Sequence, residues 1–189
     1  MESAAVNRLV LEEWLAEDPT TFEFFQAVRL LERLLPHRTP VGDFGNPAHE
    51  VVRFVVPPST IFPASEIQAL AVQPDRPPQM AVNFMGLTGP LGVLPLDYTL
   101  QVADRVRARD YALRDFLDIF HHRIISLFYR AWEKYRFTVA YERNQQDRFT
   151  GHLLDLIGLG TDGLRNRLPV RHEALVFYTG LLALRSTSR

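Results

Sequence analysis

Between residues 111 and 134 the chain sets the strongest condition on its own fold. Leu113, Phe116, Leu117, Phe120, Ile124, Leu127, Phe128, Ala131 and Trp132 recur at steps of three and four, and Tyr135 extends the series. That spacing is the turn of an α-helix; a strand alternates at two. Asp110 stands where a helix N-cap belongs. A helix from Tyr111 to Lys134 is about 36 Å long. Arg114, Asp118, His121, Arg123 and Arg130 fall mainly off the stripe. The aromatic run 126–137 reads first as core, because an aromatic stripe at helical spacing packs inward. Tyr129, Arg130, Trp132 and Tyr135 are also the residue types that dominate protein interfaces. A helix longer than a small domain needs leaves part of itself for another chain.

The remaining elements arrange around it. Residues 7–17 form a short amphipathic pattern with Leu9, Leu11, Trp14 and Leu15 as its apolar side. Thr20 and Glu23 have capping-box spacing, and a helix is expected from 21 to 35, carrying Phe24, Phe25, Val28, Leu31, Leu34 and Leu35 and ending at Pro36. Residues 36–49 are loop. Three short strands are expected at 50–56, 66–73 and 80–84, and helices at 97–107, 147–160 and 170–186. Residues 136–144 read as a short extended piece. The fold class is α+β: predominantly helical, with a small β-sheet between residues 50 and 85 and the long amphipathic helix 111–134. The chain reads as one region in three parts: N-terminal helices 7–35, the sheet and a Gly/Pro loop 50–95, and a helical part 97–186. The last helix places Leu175, Phe177, Tyr178, Leu181, Leu182 and Leu184 near the terminus. Apolar surface of that extent is ordinarily covered, so a longer parent protein is expected.

Composition narrows the function classes. Hydrophobic residues are 47% and charged residues 23%, enough apolar content for a buried core. No apolar run approaches the roughly 20 residues that span a bilayer, and no basic-then-apolar start resembles an export signal, so the expected compartment is the cytoplasm. The absence of cysteine removes disulfides and thiolate chemistry. A net charge of -1 argues against nucleic acid and anionic membrane as partners. The basic residues are twenty arginines and one lysine, Lys134. A GC-rich gene accounts for that bias; arginine's planar fork and weaker hydration also suit contact surfaces.

Residues 82–99, VNFMGLTGPLGVLPLDYT, pose the sharpest chemical question. Glycine-rich links between strand and helix often hold phosphates. Here Pro90 has no amide to give, no Gly-Lys-Ser/Thr triplet exists, and Gly86, Gly89 and Gly92 miss the dinucleotide spacing. The loop is better read as rigid shape that presents Met85, Leu87, Leu91, Val93 and Leu94. Asp118 and His122 lie four apart, a spacing that can begin a metal site, but no further ligand is spaced to complete it. A solvated or capping histidine beside a helical ion pair is the simpler reading. Ser126 sits within the long helix, and Ser59 and Ser65 have no nucleophile-elbow sequence. Asp115 and Asp118 read as exposed, ionised carboxylates among arginines rather than as a catalytic pair. No catalytic, cofactor-binding or metal site is assigned.

Four stretches carry a family resemblance: TFEFFQAVRLLERL (21–34), VRFVVPPSTIFPASEI (52–67), VNFMGLTGPLGVLPLDYT (82–99) and RDYALRDFLDIFHHRIISLFYRAWEKYRF (109–137). Together they resemble the TssG family (ImpH/VasB) of the bacterial type VI secretion system. The resemblance spans about residues 21–182 and implies a structural baseplate subunit, not an enzyme, with no cofactor. It implies a wedge in which TssG joins two copies of TssF with TssE, six wedges around the central spike. TssK trimers dock on TssG and connect the baseplate to the inner-membrane complex, and no direct membrane insertion or nucleic-acid binding is implied. Family members are longer, so this chain is expected to be an N-terminal portion lacking the C-terminal part. Phe84, Leu87, Pro90, Leu91, Trp132 and Tyr135 are the residues expected to meet TssF or that missing part. The alternatives are a wedge protein of another contractile, phage-tail-like particle and, further off, a metal-dependent enzyme using Asp118 and His122.

Overall fold

The computed structural model describes residues 14–15, 17–73, 76–142, 148–164, 167 and 169–183. All but three residues of the expected helix 7–17, and the last residues of the expected helix 170–186, lie outside these. The chain divides into two compact units, Met1–Trp132 and Glu133–Arg189.

The first unit is α+β. Helix α1 (Phe24–Leu34) buries Phe24, Ala27, Val28, Leu31 and Leu34, the three- and four-residue spacing of its stripe. It begins three residues later than expected, because Pro19–Thr21 form a turn of 3-10 helix. The capping box does not form. The Thr20 hydroxyl bonds Asp18 Oδ1, and the Phe24 amide donates to Glu66 Oε2 at 2.8 Å, a carboxylate from far along the chain.

The sheet has three strands, β1 (Arg53–Val55), β2 (Ile67–Gln73) and β3 (Arg76–Val82), in the order β1-β3-β2. β1 runs parallel to β3, with Phe54 opposite Met80; β2 runs antiparallel, with Leu70 opposite Met80. β3 starts four residues before the expected strand 80–84 and includes Pro77 and Pro78. Prolines are tolerated there because β1 pairs only with Gln79–Ala81, and a register shift between Ala71 and Gln73 interrupts the ladder on the other side. Phe54, Val56, Ile67, Met80 and Val82 face α1 in one core with Ile125 and Tyr129.

Helix α2 (Leu96–Arg107) buries Thr99 and Val102. Asp110 caps α3 (Ala112–Glu133) as its sequence position indicates, accepting from the Ala112 amide at 3.1 Å. In the second unit are α4 (Phe137–Glu142), α5 (Arg148–Leu156) and α6 (His172–Ala183). The expected extended piece at 136–144 is therefore helical. Its β-branched pair Thr138-Val139 is too short a run to hold a strand without a partner. α5 ends at Gly158, whose φ of 79° is the left-handed conformation of a helix stop.

Candidate interaction surface

α3 turns its polar residues inward. Asp118 is 4% exposed, His121 1% and His122 7%, and Ser126 is buried with them beside Ile125 and Tyr129. Their surroundings give the reason. β1 is an edge strand, and an edge leaves amides that must find acceptors when buried. The Phe54 amide donates to His122 Nδ1 at 3.2 Å, and the Val56 amide to Asp118 Oδ1 at 3.3 Å. These amides are two residues apart and so point to one side of the strand. α3 closes the sheet edge with side chains in place of a fourth strand.

The same face holds the Gly/Pro loop. The Leu87 amide donates to His121 Nε2 at 3.0 Å, while His121 Nδ1 lies 3.0 Å from Asp118 Oδ1. Accepting at Nε2 leaves the proton of neutral His121 on Nδ1, facing the carboxylate. Further along the loop, the Gly89 amide donates to Thr99 Oγ1, Gly92 to Gly89 O, Val93 to Gly86 O and Leu94 to Leu87 O. The loop's amides thus bond within the protein, the opposite of a phosphate cradle, whose amides point at the anion. Gly89 has φ 99°, an angle that favours glycine.

Other loops fasten to α3 in the same way. The Tyr129 hydroxyl donates to Glu32 Oε2 at 3.0 Å, and Glu32 Oε1 accepts from the Val41 amide. Gly42 (φ 73°) lies so close to the helix that a Cβ there would sit 2.9 Å from Arg130 Cγ and 3.1 Å from Ser126 O. Its amide donates to Glu50 Oε2.

Two sequence expectations are corrected here. The histidines of α3 are not solvated, and Asp118 is not an exposed partner of Asp115: all three are buried acceptors for backbone amides. The Val56 and Phe54 amides take up Asp118 Oδ1 and His122 Nδ1. Among the described residues no cluster of three or more His, Cys, Asp or Glu is placed to hold an ion.

The apolar stripe faces the other way. Phe116 is 55% exposed, Phe120 46%, Ile124 42% and Leu127 48%. Phe116 and Phe120 meet edge to face at 5.2 Å. The six residues expected at an interface divide. Phe84 is half-buried, 4.8 Å from the Phe24 ring and 5.9 Å from Phe128. Trp132 stacks on Phe25 at 4.6 Å and packs against the core. Leu87 is half-buried, and Pro90 and Leu91 are exposed at the loop tip. Tyr135 is exposed and belongs to the second unit. Phe116, Phe120, Ile124 and Leu127 were visible in the stripe but not singled out. The signal was apolar residues on both sides of the helix, Ile124 beside Ile125 and Phe128 beside Tyr129: one face is enough for a core, and the other requires a second explanation.

No helix among the described residues is long and apolar enough to cross a membrane. Comparison with curated proteins and with solved structures returned no match. The family model described as "Type VI secretion, TssG" matches residues 18–189, the part of the chain that holds the sheet, the loop and α3 together, and the chain belongs to the TssG family.

Proposed function

We propose that this baseplate component works as a structural subunit of the wedge, joining two copies of TssF with TssE and connecting the wedge to TssK trimers. Its place is then the cytoplasmic baseplate, around the central spike and docked to the inner-membrane complex. The observation that carries the assembly role is the outward face of α3: Phe116, Phe120, Ile124 and Leu127 form an exposed apolar row on a helix already anchored by its other side. Contiguous exposed apolar surface marks contact sites, and family membership supports baseplate proteins as the partners. Pro90 and Leu91, exposed on a loop whose backbone is bonded from within, form a second contact point, with Leu87 behind them.

The test is co-purification of the chain with TssF, TssE and TssK from the same genome, singly and together. Three forms are compared: the natural chain, Phe120→Asp with Leu127→Asp, and Leu87→Asp with Leu91→Asp. The reading predicts capture by the natural chain and loss of a partner in one or both paired variants, with folding retained by circular dichroism. Failure of the natural chain to capture any of the three overturns it.

A further inference from the structure

His121 and His122 are neighbours on α3 and are built into the fold alike. A backbone amide can only donate, so a ring nitrogen bonded to one must accept. His121 Nε2 accepts from the Leu87 amide at 3.0 Å, which leaves the proton of the neutral ring on Nδ1, 3.0 Å from Asp118 Oδ1. His122 is turned the other way. Its Nδ1 accepts from the Phe54 amide at 3.2 Å, so the proton of the neutral ring sits on Nε2, 3.3 Å from Glu50 Oε2. The two rings are therefore opposite tautomers. In each, one nitrogen turns a proton toward a carboxylate and the other holds backbone from a distant segment. Both side chains are buried, so bulk water does not replace a partner lost there.

We propose that this pair is an acid-sensitive latch, which holds the Gly/Pro loop and the edge strand β1 to α3 only while both rings are neutral. Imidazole is the side chain whose charge ordinarily changes between pH 5 and 8. A second proton can enter either ring only at the nitrogen that accepts. There it meets an N–H head-on, and the amide must leave. The carboxylate side works in both charge states. His121 Nδ1 stays a donor toward Asp118 and His122 Nε2 toward Glu50, and each attraction grows when the ring is charged. Acid thus acts on two backbone hydrogen bonds and leaves the ring–carboxylate contacts in place. The charged group facing His121 is Asp118 on its own helix, while the loop meets the ring with backbone. Around His122, besides Glu50 and Asp118, the cleft it lines carries Arg53, Arg76, Arg114, Arg123, Asp43 and Asp115, four charges of each sign in all. Losing the Leu87 bond frees the loop that carries Pro90 and Leu91 from α3. The latch lies within the first unit and does not depend on which protein meets the outward face of α3.

The test is NMR of the full chain labelled with nitrogen-15. Ring spectra at about pH 8 are expected to show His121 protonated at Nδ1 and His122 at Nε2. Amide hydrogen exchange, normalised to the intrinsic rate at each pH, is then compared between about pH 8 and about pH 5.5. Protection is expected to fall about tenfold or more at Leu87 and Phe54. The Ala27 amide, bonded to Glu23 O at the start of α1, is expected to keep its protection. His121→Gln with His122→Asn offers each amide an acceptor that takes up no proton, and is expected to hold both amides at either pH. If that variant does not fold, the ring spectra and the Ala27 comparison in the natural chain carry the test. The same tautomer in both rings, protection at Leu87 or Phe54 that does not fall in acid, a loss shared by Ala27, or an equal loss in the folded variant each overturns the proposal.

Discussion

The two faces of α3 share one backbone and one set of helical rules, yet they divide their residues against the usual pattern. The face against the sheet carries Asp118, His121, His122 and Ser126 around Ile125 and Tyr129; the face in the open carries Phe116, Phe120, Ile124 and Leu127. The first is polar because what it covers is an exposed strand edge and loop backbone, both short of acceptors. The second is apolar and about half-exposed. An amphipathic helix is thus oriented by the chemistry of its neighbour as well as by water. Burying acceptors opposite orphan amides avoids a cost of about 1–3 kcal/mol for each amide left unpaired.

That contrast is sharpened by changing one face at a time. The largest effect is expected at Asp118→Ala, which strips the acceptor from the Val56 amide and the partner from His121. A loss of about 3 kcal/mol is expected, seen as a fall of roughly 6–12 °C in the thermal midpoint. Next comes Gly42→Ala, where a left-handed angle and the approach to Ser126 and Arg130 coincide; about 2 kcal/mol of destabilisation is expected in urea unfolding. His121→Leu removes the acceptor of the Leu87 amide. It is expected to cost about 1–2 kcal/mol and to raise hydrogen exchange at Leu87 selectively. The outward Phe120→Asp is expected to move stability by less than about 0.5 kcal/mol, although it alters the larger side chain. Equal costs for Asp118→Ala and Phe120→Asp would erase the distinction between the faces.

Much of this architecture was legible in the sequence, for reasons that differ by element. The long helix was announced by an unbroken period and a capping Asp110; β2 was announced by alternation between turn residues. The orientation of α3 was not legible, because periodicity locates a stripe without naming what lies across from it. Nothing in the spacing of Asp118, His121 and His122 reports that amides of Phe54, Val56 and Leu87 converge on them from distant segments. The early start of β3 was hidden by Pro77-Pro78, which reads as a strand breaker until the short reach of β1 is known. The Gly/Pro loop was read as shape, and its internal amide bonds supply the physical content of that reading. Of the residues expected at an interface, Pro90, Leu91 and Tyr135 are exposed. Phe84 and Trp132 illustrate how the same aromatic character also builds a core.

The central claim is that α3 folds through its polar face and assembles through its apolar one. The most direct measurement takes Phe120→Asp with Leu127→Asp through two readouts on one preparation: thermal unfolding by circular dichroism, and capture of TssF, TssE and TssK. The account predicts a midpoint within about 2 °C of the natural chain, together with loss of a partner that the natural chain captures. Unfolding of the variant, or a full complement of partners on a folded variant, would contradict it.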